Sequence, residues 1–202
     1  MRPKLLLATN NQAKVREYKS LLQDFPCELV TLAEQGINIS VSEVGESLEE
    51  NARLKATVLA AESQLIALAD DSGLEVDALG GEPGRLSARY AGEGASDRDR
   101  INYLLARLEG VPEEKRSARF RCVIAIATPD GKVELCSGEC QGFITLAPRG
   151  EQGFGYDPIF YLPELGKTMA ELPLQLKNQV SHRGRAARQV SQALEKLKEQ
   201  KI

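Results

Sequence analysis

The sequence predicts an α/β fold: a mixed central β-sheet flanked by helices, with a β-hairpin later in the chain and room for an added lobe. Short apolar runs alternate with helix-periodic segments early in the chain, as parallel strands and their crossovers do. Two alternating segments meet later at Pro129-Asp130-Gly131, a hairpin signal. The 202 residues are 42% hydrophobic, enough to bury a sizeable core.

In chain order, Lys4 to Thr9 reads as a strand. Val15, Tyr18, Leu21 and Leu22 then recur at helical spacing within Lys14 to Leu22. Glu28 to Leu32 is a second strand. Ser47 to Glu62, rich in Ala, Leu, Glu and Lys, reads as a helix with Ser47 and Glu50 in a capping box. Strands are expected at Leu65 to Ala69 and at Leu74 to Leu79, with a loop at Gly80 to Gly84. Ser96 to Leu108 is the clearest helix: Ile101, Leu104, Leu105 and Leu108 share a face, and Gly110 and Pro112 lie beyond its end. The hairpin joins a strand carrying Phe120, Cys122, Ile124 and Ile126 to one from Lys132 to Cys140. A glycine-rich stretch, Gly150 to Tyr156, precedes a short strand from Pro158 to Tyr161. Ser181 opens a last helix with Ala186, Val190, Ala193, Leu194 and Leu197 inward. No repeat, low-complexity tract or linker interrupts the chain, so residues 1–202 are expected to form a single domain.

Composition narrows the function. A net charge of −3 without a basic stripe argues against nucleic acid. No apolar stretch approaches the ~20 residues that span a bilayer. Only Leu5 to Ala8 are apolar after Met1-Arg2-Pro3-Lys4, too few for a signal peptide, so a cytoplasmic location is expected. Cys27, Cys122, Cys136 and Cys140 contain no Cys-x-x-Cys pair and read as reduced thiols. His182 is the single histidine, which excludes any multi-histidine metal site.

The most informative stretch is the apolar run Leu65 to Ala69 leading into Asp70-Asp71-Ser72-Gly73. Two neighbouring carboxylates at a sheet edge repel each other, and a shared cation would relieve them. Mg²⁺ binds in this way, through one or two carboxylates plus substrate phosphates. The same residues also read as a surface Asp-Ser-Gly turn.

Other segments carry complementary chemistry. Thr9-Asn10-Asn11-Gln12-Ala13-Lys14 joins a strand to a helix, where free N–H groups and the lysine suit phosphate; it also reads as a plain Asn cap. Glu43 precedes the second helix in a loop from which it could reach a metal. Lys55 lies on the helix face of Leu48 and Asn51 and suits an anion, although lysines on such faces also snorkel to water. In Gly153-Phe154-Gly155-Tyr156-Asp157-Pro158 an aromatic between glycines could stack on a base, and Asp157 could accept a hydrogen bond from one; a tight turn with a packed aromatic reads equally well. Lys177-Asn178-Gln179-Val180-Ser181-His182-Arg183-Gly184 places cationic groups at a helix start, against the dipole, which is understandable if they bind an electron-rich ligand.

Taken in order, Thr9-Asn10-Asn11-x-x-Lys14, Glu50-Asn51-Ala52-x-x-Lys55-Ala56, Ala69-Asp70-Asp71-Ser72-Gly73-Leu74, Gly153 to Pro158 and Ser181-His182-Arg183-Gly184 resemble the inosine/xanthosine triphosphate pyrophosphatases, in their bacterial form. The likeness runs from Leu5 to about Ala187; Leu48 stands where many members have Phe, a packing change. The resemblance implies an elongated α/β fold with a mixed central sheet and a hairpin-containing second lobe, in a homodimer that hydrolyses ITP, dITP and XTP to the monophosphate and pyrophosphate with Mg²⁺. It implies Asp71 as general base, Glu43 and Asp71 as the metal-linked carboxylates with Asp70 close by, and Thr9 to Lys14 and Lys55 on the triphosphate. Ser72, Phe154, Gly155, Tyr156, Asp157, Lys177, His182 and Arg183 would hold the nucleoside, with His182 and Arg183 donating to the purine O6. A pyrophosphatase for other nucleotides and a non-catalytic nucleotide sensor are the alternatives.

Overall fold

Period-two alternation in the first strands decides how the helices are placed. The computed structural model describes residues 2–199. The elements run β1 (Lys4–Leu7), α1 (Gln12–Leu21), β2 (Glu28–Thr31), α2 (Leu48–Ser63), β3 (Ile66–Val76), β4 (Pro83–Gly84), α3 (Asp97–Arg107), β5 (Ser117–Ala127), β6 (Val133–Ile144), β7 (Phe160–Leu162), β8 (Lys167–Thr168), α4 (Leu174–Val180), α5 (His182–Ala187) and α6 (Val190–Glu199). The hydrogen-bonded strand order is β2-β1-β3-β5-β6-β7-β8, with β4 on β3. β1 pairs parallel with β2 and β3, whereas β4 on β3 and β7 on β6 and β8 are antiparallel, so the sheet is mixed as expected. Among the described residues, no helix is long and apolar enough to cross a membrane.

The chain divides into two compact units: Met1–Asp71, Cys122–Gly138 and Arg183–Ile202 form the first, Ser72–Arg121 and Glu139–His182 the second. In the first unit Leu5, Leu7 and Leu68 face Val15 and Tyr18 of α1 together with Ala186, Val190 and Leu197 of α5 and α6. Leu6, Ala67 and Ala69 face the other way, onto Leu48, Ala52, Ala56, Leu59 and Ala60 of α2. Both faces of β1 and β3 are therefore covered, which is why these strands read as unbroken apolar runs. In the second unit Ile101, Leu104 and Leu108 on or just beyond α3 pack with Leu74, Val76, Phe120 and Phe160.

The structure corrects four expectations. Asp70 to Gly73 is neither a turn nor a sheet edge: β3 runs unbroken through it. Gly73 permits this, because a Cβ there would run into the backbone carbonyl of Gly84 on β4. The capping box at the start of α2 is only half formed, since Ser47 Oγ accepts from Glu50 N at 3.1 Å but Glu50 Oε2 accepts from Glu46 N at 2.7 Å. The last helix is split at Arg188 and Gln189, where the Gln189 amide nitrogen donates to Ser137 O at 2.6 Å. Finally α4 precedes it; its seven residues between Pro173 and Ser181 are too few to show periodicity.

Candidate active site

Consecutive residues of a strand point to opposite faces. Asp70 therefore lies on the α1 and α5 face of β3, and Asp71 on the α2 face. The two carboxylates, expected to share a cation, do not share a face. They are served by different groups.

Asp70 is buried among cations. Lys14 Nζ donates to its Oδ1 at 2.9 Å, and Arg183 Nε and Nη2 donate to Oδ2 at 3.3 and 3.2 Å. Arg183 Nη1 donates to Glu17 Oε2 at 2.6 Å. Burial alone would raise the Asp70 carboxyl, but Lys14, Arg183 and Lys55 overcome it and hold the group well below the usual carboxylate range. Arg183, expected on the nucleoside, is 2% exposed and donates to Asp70 and Glu17.

Asp71 stands among groups from α2 and the loop before it. Asn51 Nδ2 donates to its Oδ2 at 3.0 Å, and Lys55 Nζ lies 3.7 Å from its Oδ1. The same ammonium donates to Glu43 Oε1 at 2.8 Å and to the backbone carbonyl of Asp70 at 2.7 Å. Asn51 and Lys55 stand four residues apart on one helix face, which brings both to the same carboxylate. Burial and the like charge of Glu43 raise Asp71 above the ordinary carboxylate value, against the pull of Lys55, Lys14 and the Asn51 amide. For Lys55 burial works downward, yet Asp71, Asp70 and Glu43 outweigh it and raise its pKa. Lys14 thus pairs with Asp70 at 2.9 Å, while Lys55 stands 3.7 Å from Asp71 and donates to the Asp70 backbone carbonyl.

In the loop from Thr9 to Lys14, Asn11 caps α1, its Oδ1 accepting from Ala13 N at 2.9 Å and Lys14 N at 3.2 Å. Asn11 N in turn donates to Thr9 Oγ1 at 3.2 Å. These N–H groups, expected to face phosphate, donate within the loop. Asn10 and Gln12 are exposed; Thr9 and Ala13 are half-buried.

The second unit gathers most of the residues expected at the nucleoside. Asp157 and Lys177 form a buried ion pair, Asp157 Oδ2 also accepts from Phe154 N at 2.8 Å, and the Lys177 ammonium lies 5.0 Å from the centre of the Phe154 ring. Gly155 N donates to Asp97 Oδ2 at 2.7 Å, and the Tyr156 hydroxyl donates to Ser87 O at 2.9 Å. His182 is 4% exposed and stacks on Phe120 with ring centroids 4.6 Å apart. Ser72 is half-buried on β3. The loop from Phe154 to Asp157 is thereby fixed at several points, each by a polar contact inside this unit.

Sequence reasoning missed Asn51, Glu17 and Asp97 as members of these clusters. Asn51 left a signal, a polar residue in the apolar stripe of α2. Glu17 and Asp97 did not stand out, because single carboxylates on helices are ordinary surface residues.

The Ham1 family model matches residues 5–193. A dITP/XTP pyrophosphatase of Geobacter sulfurreducens is 53% identical over 183 residues, which cover 91% of this chain and 92% of the relative. Another from Thermus thermophilus is 52% identical over 190 residues, covering 94% of this chain and 91% of the relative. The solved structure of a HAM1 protein from Coxiella burnetii matches with a TM-score of 0.86 at 42% identity, over 96% of this chain and 99% of that one. These matches bear out the resemblance carried by the motifs. The chain belongs to the Ham1 family.

Proposed function

We propose that this chain hydrolyses the non-standard purine nucleoside triphosphates dITP, ITP and XTP to the monophosphate and pyrophosphate, with Mg²⁺, and so clears them from the nucleotide pool. One observation carries the reading most: a single ammonium stands between two carboxylates beside β3, with Lys55 Nζ 2.8 Å from Glu43 and 3.7 Å from Asp71. Relatives at 53% and 52% identity named for this activity support it. The family model, spanning 5–193, supports reading residues 1–202 as one pyrophosphatase domain. The resemblance further implies a homodimer.

Glu43 and Asp71 suit Mg²⁺. Both are hard oxygen donors, they share one ammonium, and Asp71 is raised partly by the charge of Glu43, so an added cation relieves both. Among the described residues no cluster of three or more His, Cys, Asp or Glu is set for a metal; two carboxylates match the mode in which substrate phosphates complete the shell. The ion, when bound, lowers the pKa of water and draws charge from the phosphates. Lys14 and Lys55 neutralise phosphate oxygens, and Asp71 takes the proton of the water that attacks the α-phosphorus. Charge stabilisation and positioning carry most of such a reaction. The burial that raises Asp71 makes it a stronger base than an ordinary carboxylate.

Phe154, Gly155, Tyr156, Asp157, Lys177, Ser72, His182 and Arg183 form the nucleoside side of this reading. His182, and Arg183 beside its bonds to Asp70, are the donors to the purine O6 in this reading. O6 is an acceptor in hypoxanthine and xanthine, whereas adenine offers an amino group there, and such a mismatch can give ~10⁴-fold selectivity. Pyrophosphate release from ITP, XTP, dITP, GTP and ATP, coupled to inorganic pyrophosphatase, tests the assignment. ITP, dITP and XTP are expected to turn over fastest; preference for ATP would defeat the donor role, and no release from any of them would leave a nucleotide sensor. EDTA is expected to abolish release and Mg²⁺ to restore it; full activity in EDTA would remove the metal from the reaction. Lys177→Met is expected to raise the KM for ITP about tenfold, or ~1.4 kcal/mol, with a smaller change in kcat. An unchanged KM would take Lys177 out of substrate binding.

A further inference from the structure

Asn51 is completely buried in the first turn of α2. Its side chain touches both carboxylate-bearing segments. Oδ1 accepts from Gly45 N at 2.8 Å, and Nδ2 donates to Asp71 Oδ2 at 3.0 Å. Each partner fixes the amide's direction. A backbone N–H needs the oxygen, and a carboxylate needs the NH₂, so the group cannot flip without losing both bonds. Gly45 lies two residues after Glu43, in a stretch without regular secondary structure. Its approach to Asn51 is close: a Cβ on Gly45 would stand 2.8 Å from Asn51 Oδ1.

The neighbouring bonds strengthen the clamp. Glu50 Oε2 accepts from Glu46 N at 2.7 Å, and Ser47 Oγ accepts from Glu50 N at 3.1 Å. The end of the loop is thereby folded onto the start of α2. One turn further along that helix, Lys55 meets Glu43 at 2.8 Å. Asn51 thus fixes the orientation of Asp71 directly and the position of Glu43 through the backbone at Gly45.

We propose that Asn51 is a positioning residue that couples Glu43 to Asp71 and sets the pair for a divalent cation. The proposal rests on the reading above that these two carboxylates take the metal. A buried Asn paired with a backbone N–H and a carboxylate is not interchangeable with its neighbours in shape. Asp at this position keeps the acceptor for Gly45 but sets a like charge on Asp71. Leu offers neither bond. Groups that orient metal-binding side chains typically cost 10- to 100-fold in metal affinity or activity when removed.

The test compares wild type with Asn51→Ala and Gly45→Ala. The first removes both bonds of the amide. The second keeps the Asn51 side chain but sets a Cβ 2.8 Å from its Oδ1, so it strains the contact between the loop and the amide. Three quantities are read: the Mg²⁺ concentration for half-maximal ITP hydrolysis, Mn²⁺ binding by electron paramagnetic resonance with α,β-methylene ITP present, and the melting temperature. Asn51→Ala is expected to raise half-saturation by Mg²⁺ and to weaken Mn²⁺ binding by about tenfold or more. Part of its kcat should return at high Mg²⁺, with the KM for ITP changed less. Gly45→Ala is expected to shift Mg²⁺ and Mn²⁺ in the same direction. A purely structural Asn51 would lower the melting temperature and kcat with Mg²⁺ half-saturation and Mn²⁺ binding unchanged, and that result overturns the proposal. If Asn51→Ala does not fold, Gly45→Ala decides alone: unchanged metal binding there also overturns it. Failure of wild type to hydrolyse ITP defeats the functional reading instead, and the Mn²⁺ comparison still reports on Asn51.

Discussion

Asp71→Asn is expected to lower kcat for ITP by about 10²-fold or more, equivalent to ~2.7 kcal/mol, while the KM changes little and the melting temperature does not fall. The activity loss follows from removing the group that accepts the proton. The retained stability follows from the sign of its shift. Burial and Glu43 raise the Asp71 carboxyl above its ordinary value, so the fold disfavours the ionised form and loses little when the charge is removed. Asn51 can still donate to an asparagine oxygen at this position, and Lys55 keeps Glu43 at 2.8 Å. The same shift predicts a pH dependence. kcat/KM reports the free enzyme, so its acid limb should lie above the ordinary carboxylate value and disappear in Asp71→Asn. Steady-state kinetics and thermal melting on both proteins check this. A variant with a near-normal rate would take Asp71 out of the base role.

Asp70→Asn is expected to act on the fold instead. It leaves Lys14 and Arg183 without the anion they share, and breaking a buried ion pair from one side costs about 3–5 kcal/mol. For a chain of this size that corresponds to a fall in melting temperature of about 6–20 °C. The pH dependence follows from the lowered carboxyl: its contribution is fully present above the unfolded value of about 4 and is lost as pH falls through the folded value, which the neighbouring cations hold far lower. The gap between wild type and variant should therefore be wide at neutral pH and narrow in strong acid. Denaturant melts at both pH values measure it. A variant as stable as wild type, with altered Mg²⁺ dependence, would instead make Asp70 a partner of Asp71 on the cation.

Much of this was legible in the sequence. Unbroken apolar runs at Leu5 to Ala8 and Ile66 to Ala69 announced strands covered on both faces, and the Ser96 to Leu108 pattern gave α3 almost to the residue. Lys55 and Asp71 could be nominated because charges on otherwise apolar elements ask for partners, Lys14 because it ends a strand-to-helix turn suited to phosphate, and Glu43 because its loop leads into the second helix. The fate of Asp70 was harder to read. Strand alternation puts it opposite Asp71, but that follows only once β3 is known to run through both, and the Asp-Ser-Gly signature resembles a turn. The bonds of Arg183 were hidden for a related reason: its partners, Glu17 and Asp70, are 166 and 113 positions away, and no local pattern links them. Asn51 could be placed on the face of Lys55, yet its bond to Gly45 depends on a loop whose path has no periodicity.

The measurement that reaches furthest into this account is hydrolysis of ITP in H₂¹⁸O with Mg²⁺, with the label followed by mass spectrometry. Attack of a water deprotonated by Asp71 on the α-phosphorus places ¹⁸O in IMP and leaves the released pyrophosphate unlabelled. Label in pyrophosphate, or labelled orthophosphate released from the γ-position, would mean that the groups around β3 direct water at a different phosphorus.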